Sequence, residues 1–283
     1  MKRWKSGKLL GLVFNTMQVT EIQFTPWDKV YWFDTSSSSL NINDKVVVHT
    51  ELGMEMGLVV GFKEIDEEKT KGREIKKIVR KANSSDLEKV NKRNDQKKEV
   101  LNEVRQYVVK HKLEMKLTDI HFSFDGGRMT FAFISDGRVD FRELVKDLTR
   151  HYQKSIRFHQ IGVRDEAKCC GSIGPCGKKL CCRAFLKELG QVTGEFVECQ
   201  QIAHRGGDRL SGMCGRLKCC LRFEQDLYVN LAKTLPPIGT RVRTDHGRGE
   251  VIAHHILKQS VKVRIDGKER TIVEISINKK DKE

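Results

Sequence analysis

All nine cysteines of the 283-residue chain fall between Cys169 and Cys220. Residues 174–182 read GPCGKKLCC and residues 212–220 read GMCGRLKCC, so a Cys-Gly-[Lys/Arg]-x-x-Cys-Cys pattern occurs twice. A lone buried cysteine is ordinary packing, but a duplicated pattern confined to 52 residues is not. Thiolates are soft ligands for zinc, copper(I) or iron–sulfur clusters. Structural zinc is most often gripped by closely spaced Cys-x2–4-Cys pairs. The four-residue step here is open to zinc, yet two adjacent cysteines diverge from a single ion. A larger cluster tolerates divergent ligands, and plant-type ferredoxins use a Cys-x4-Cys step. Gly174, Gly177, Gly212 and Gly215 permit tight turns that bring amide N–H groups toward sulfur. Lys178, Lys179, Arg183, Arg216 and Lys218 favour thiolates and a negative cluster. The residues point first to iron–sulfur and second to zinc. A thiol oxidoreductase is the third reading, and its common Cys-x-x-Cys signature is absent.

The elements around this segment read as α+β. Residues 1–80 are expected to form an N-terminal β module, with a strand at 29–34, a loop at Ser36–Ser39 and two β-branched runs in NDKVVVHTELGMEMGLVVGF. The charged stretch 64–81 suggests a hairpin end or linker. Val100, Leu101, Val104, Tyr107 and Val108 share one helical face. A hairpin is predicted around Asp125-Gly126-Gly127. Asp140 is a predicted N-cap, with Glu143 three residues on, for a helix burying Leu144, Val145 and Leu148. SIRFHQIGV follows as a strand, completing an α+β domain over 85–165. The Cys-rich segment occupies 166–230. Residues 236–280 carry two short strands, a Gly-x-Gly turn and an Asp-Gly hairpin, and a small SH3-like β-barrel is expected there. VVVHTELGMEMGLVV and TRVRTDHGRGEVI resemble each other, which makes the two ends candidates for related modules.

Lys and Arg exceed Asp and Glu by 53 to 38, a net charge of +15, which favours polyanionic partners. The basic N-terminus MKRWKSGKLLGLVF has an apolar run of six residues, too short for a signal peptide or a membrane span. A cytoplasmic protein without membrane insertion is expected, and reduced thiols then favour metal chemistry over disulfides.

DGRVDFRELVKDL, QIGVRDEAK, GSIGPCGKKLCC and SGMCGRLKCCLRFE together resemble the YaaT/RicT family, whose members carry the polymerase-suppressor C-terminal domain. The resemblance implies a non-catalytic, regulatory iron–sulfur subunit, without settling the cluster type, and a 4Fe–4S cluster is the expected one. Its implied partners are RicA- and RicF-like subunits and an RNase Y-type endoribonuclease, with effects on transcript maturation and on the sporulation phosphorelay. By position it puts forward Cys176, Cys181, Cys182, Cys214, Cys219 and Cys220 as cofactor-binding residues, with Cys169, Cys170 and Cys199 as additional candidate ligands. The chain departs from the family pattern after EAK, where Cys169, Cys170, Gly171 and Ser172 stand, and in EFVECQQIAHRGGDRL between the motifs.

No phosphate loop, nucleophile elbow or His-Glu-x-x-His pattern is present, so no enzyme is expected. His254-His255 reads as a surface feature. Asp125, Asp136 and Asp140 read as turn and cap residues rather than a carboxylate cluster. The runner-up function is a zinc-stabilised nucleic-acid-binding protein with RNA contact.

Overall fold

Ile22, Val46, Val48 and Val59 are fully buried and pack with Phe33 and Ile78 as the core of the first sheet of the molecule. The computed structural model describes residues 16–34, 39–66, 75–171, 173–186, 189–267 and 271–277. The chain divides into two units, residues 1–170 and 171–283. The Ser36–Ser38 part of the expected loop and residues 67–74 of the charged stretch 64–81 lie outside the described residues.

In the first unit, β1 (Thr16–Gln23), β2 (Val30–Asp34), β3 (Lys45–Thr50), β4 (Gly53–Asp66) and β5 (Ile78–Lys81) form a sheet of order β2-β1-β4-β3-β5. Helix α1 (Ser84–Asp95) opens on a capping box: Asn83 accepts from Asp86 N, and the Asp86 side chain accepts from Asn83 N. The single helical pattern expected from sequence is two helices, because α2 (Lys97–Lys110) starts afresh after Gln96. Helix α2 buries Leu101, Val104 and Val108.

The predicted hairpin is β6 (Lys116–Phe122) and β7 (Arg128–Ile134), followed by α3 (Arg142–Tyr152) and by β8 (Ser155–Gln160), which runs parallel to β7. Central β7 buries Met129, Phe131 and Phe133 against Leu144 and Leu148 of α3 and the apolar face of α2, while Ala132 is buried with Trp27 and Ile161. The N-cap of α3 is Phe141 rather than Asp140. Asp140 still serves the helix start, since its Oδ1 accepts from Arg142 N at 3.2 Å. Helix α4 (Val163–Cys170) closes the unit.

One polar cluster joins the two sheets of this unit. Glu55 on β4 is buried and pairs with Arg128 of β7. Its other carboxylate oxygen meets His121 Nε2 of β6 at 3.0 Å. Arg128 also donates to Leu52 O at 2.5 Å.

The second unit holds α5 (Cys181–Ala184), α6 (Gly194–Cys199), α7 (Gly207–Leu210) and α8 (Cys219–Ala232), then β9 (Arg241–Thr244), β10 (Gly247–His255), β11 (Ser260–Ile265) and β12 (Ile272–Ser276). Tyr228, Leu231 and Ala232 of α8 pack on the sheet core of Leu235, Val251, Ile256, Val261 and Val263. The SH3-like barrel expected at 236–280 is, among the described residues, an open antiparallel sheet of order β12-β11-β10-β9. Among the described residues, the four-residue β9 pairs only with β10, and β9 and β12 are separate edges.

The likeness between the chain ends is physical. Thr50 Oγ1 donates to Gly53 O at 2.9 Å and accepts from Leu52 N at 3.2 Å. Thr244 Oγ1 donates to Gly247 O at 2.8 Å and accepts from His246 N at 3.2 Å. Gly53 and Gly247 close these turns with φ of 110° and 122°.

Candidate metal centre

Each Gly–Cys pattern folds into a small knuckle, and the two knuckles repeat each other bond for bond, 38 residues apart. Ile173 bridges Lys179, and Ser211 bridges Leu217. Inside the first, Gly174 N donates to Lys178 O at 2.8 Å and Gly177 N to Gly174 O at 2.9 Å. In the second, Gly212 N donates to Arg216 O at 2.8 Å and Gly215 N to Gly212 O at 3.0 Å. Gly177 and Gly215 close the turns with φ of 76° and 71°, where a Cβ would be strained. Leu180 and Lys218 then share an extended backbone, φ/ψ −53°/127° and −59°/135°, and a helix starts at each cysteine pair. The vicinal cysteines thus occupy the first turns of α5 and α8, which touch through Phe185 and Phe223, ring centroids 5.2 Å apart and edge to face.

This packing brings thiols of both arms together. Burial raises the Cys181 pKa first, and the charges of Cys219 and Cys176 raise it further. Burial likewise raises Cys220, followed by the charge of Cys181. Cys176, Cys181, Cys219 and Cys220 are therefore electrostatic neighbours. Lys178 and Lys218 pull in the other direction, as the sequence suggests, but burial outweighs them. Cys181 and Cys220 stay protonated near neutral pH without a cation, and a bound cation would reverse that preference. The donor set suits a soft metal in kind and neighbourhood. Among the described residues, no three or more His, Cys, Asp or Glu side chains are gathered into a ready coordination shell.

The remaining candidates are placed differently. Cys182 is buried, and Cys181 and Cys214 are half-buried. Cys199 ends α6, where its charge bears on Tyr228, two turns beyond Cys220 along α8. Cys169 and Cys170 belong to α4 in the first unit. Cys169 packs beside Trp27, Ala132 and Ile161, and burial followed by the charge of Asp119 pushes its pKa up to about 12. Cys170 is exposed. Asp125 accepts from Gly127 N at 2.9 Å as a turn residue. His254 Nε2 lies 2.7 Å from Pro236 O, and His255 lies 4.0 Å from Glu274.

Sequence reasoning missed Gln200. It is buried, and its Nε2 donates to Leu221 O at 2.6 Å, bracing α6 against the first turn of α8 next to the second cysteine pair. Its position directly after Cys199 was the only signal.

The PSP1 C-terminal conserved region matches residues 76–161, and the third domain of PSP1-like proteins matches residues 198–235, which take in the second knuckle and α8. The stage 0 sporulation protein YaaT of Bacillus subtilis is 37% identical over 255 residues, covering 90% of this chain and 92% of that protein. The chain belongs to the YaaT/RicT family. An uncharacterized protein of Schizosaccharomyces pombe is 25% identical over 156 residues, 46% of this chain and 21% of that protein. No solved structure matches the chain. Among the described residues, no helix is long and apolar enough to cross a membrane.

Proposed function

We propose that this chain is a non-catalytic regulatory subunit with a developmental role, whose two knuckles hold one inorganic centre. The developmental part is carried over from the name of its Bacillus subtilis relative. The observation that carries the centre is the convergence of two matching arms, with Cys181 under the electrostatic influence of Cys176 and Cys219 from opposite arms. The ligand pool is Cys176, Cys181, Cys182, Cys214, Cys219 and Cys220. The proposed occupant is an iron–sulfur cluster of 4Fe–4S type, since vicinal thiols suit a cluster better than one ion, and zinc is the alternative. When bound, the cluster would supply a redox-sensitive cross-link between the arms. The chain's own contribution is the pair of glycine turns that orient the thiols and the Gln200 brace that fixes α8. Thiols with raised pKa make poor nucleophiles, which favours a holding role over thiol catalysis. The proposed partners are RicA- and RicF-like subunits and an RNase Y-type endoribonuclease.

The test is anaerobic purification of wild type, Cys181→Ser and Cys219→Ser, with a visible spectrum and iron, zinc and sulfide analysis on each sample. A brown wild-type protein with matched iron and sulfide, and colourless variants, is expected. Stoichiometric zinc without sulfide would move the reading to the zinc alternative. Full metal content in both variants would overturn the two-arm centre.

A further inference from the structure

We propose that the outer face of the C-terminal sheet binds the phosphodiester backbone of single-stranded RNA, centred on Arg241, Arg243 and Arg248. This surface lies beyond the thiol centre and needs none of its ligands. Val242, Val251, Val261 and Val263 turn inward to the core, so strand alternation sends Arg241, Arg243, Arg248, Glu250, Lys262 and Arg264 to the opposite face. The pairing register then fixes the rows. Arg243 stands directly opposite Arg248, Arg241 opposite Glu250, and Glu250 opposite Arg264. Glu250 is taken by Arg264, 2.8 Å away. Arg243 and Arg248 thus face each other at the sheet edge, with no ion pair to either among the described residues.

Like charges directly opposite one another disfavour the sheet. The turn does not require them: the equivalent row of the N-terminal hairpin, beside the same threonine–glycine turn, is His49 opposite Met54. An anion bridging the two guanidinium groups would convert the repulsion into binding. Arginine forks match phosphate oxygens in geometry as well as charge. Arg241 and Arg243 repeat along one strand face at about 7 Å, giving a short track. Glu250, directly opposite Arg241, borders that track and would repel a second backbone, which favours a single strand over a duplex. Among the described residues, the outward positions carry no Phe, Tyr or Trp for stacking, so binding should tolerate any base sequence. An anionic membrane fits less well, because Ile272 is the only large apolar side chain on the described outer face.

The test titrates the full chain, purified under the same anaerobic conditions, into a labelled oligouridine of about 20 nucleotides, between about 50 and 200 mM salt. Arg243→Ala/Arg248→Ala should weaken binding about tenfold and reduce the slope of log affinity against log salt by about 1.4, two contacts at about 0.7 each. Arg243→Lys/Arg248→Lys, which keeps the charge, should keep the slope. Lys89→Ala/Lys92→Ala, which removes the same charge from α1, should leave affinity within about twofold. A melting curve on each variant confirms that it is folded, and the lysine variant keeps the test open if the alanine variant is not. Three results would overturn the proposal: an unchanged slope in the alanine variant, an equal loss in the α1 control, or binding to phosphatidylserine vesicles with none to the oligonucleotide.

Discussion

The α+β part of the first unit and the knuckle region of the second are built on different principles. The former closes on Val104, Phe131, Ile120, Leu144 and Leu148, all 1% exposed or less. Between Gly171 and Thr234, the buried apolar side chains are Cys182, Val197 and Leu221, each at 5–7% exposure. Apolar burial alone can hold the first region, whereas a segment with so thin a core relies on cross-links or metal. What the second region has in place of a core is two rigid turns and a set of thiols.

The sharpest way to test that contrast is to damage the first region. Glu55→Ala leaves the partly buried Arg128 without its carboxylate, and removing one partner of a buried pair costs about 3–5 kcal/mol. Denaturant melts should show that loss in the first unit, while metal content in the second stays at the wild-type value. A parallel loss of metal would break the comparison. A smaller effect is expected from Gly177→Ala and Gly215→Ala, which force a Cβ into the left-handed region at about 1–2 kcal/mol each. Hydrogen exchange should report equal loosening of the two knuckles and none in β6–β8. Unequal loosening would mean that the arms match in hydrogen bonds but not in duty.

The smallest effect is a titration in the first unit. The Arg80 guanidinium, then the Asn83 amide, hold the Asp86 carboxyl at about 2, below its ordinary 3.8. A depressed carboxyl stabilises the fold above its unfolded pKa, and that contribution is lost as pH falls from about 4 to about 2. Far-ultraviolet circular dichroism should therefore show α1 fraying across that window in wild type and a flatter profile in Asp86→Asn.

How much of this was legible in sequence followed the range of the interactions involved. The Asp125-Gly126-Gly127 hairpin and the twin knuckles are local, so residue types within nine positions specify them. The division at Gln96 was not legible, since Gln96 keeps helical backbone angles and carries neither proline nor glycine. The Glu55 cluster was invisible because its partners lie 66 and 73 residues away. The cysteines illustrate both limits. The repeat of the two arms could be read from spacing alone, whereas the packing of Cys169 beside Trp27 and Ala132 of its own unit could not. The barrel expected at the C-terminus depended on whether distant strand edges met, and strand residues alone carry no such information.

The duplication of the knuckles also has a consequence in time. Cys176 and Cys214 are 38 residues apart, so at about 5–20 residues per second the ribosome delivers the second knuckle roughly 2–8 s after the first. For that interval, Cys176, Cys181 and Cys182 leave the tunnel with no counterpart to face. The nascent chain therefore presents a vicinal thiol pair to cellular oxidants before the helix that will cover it has been made, and the order of synthesis becomes part of how the region must be protected.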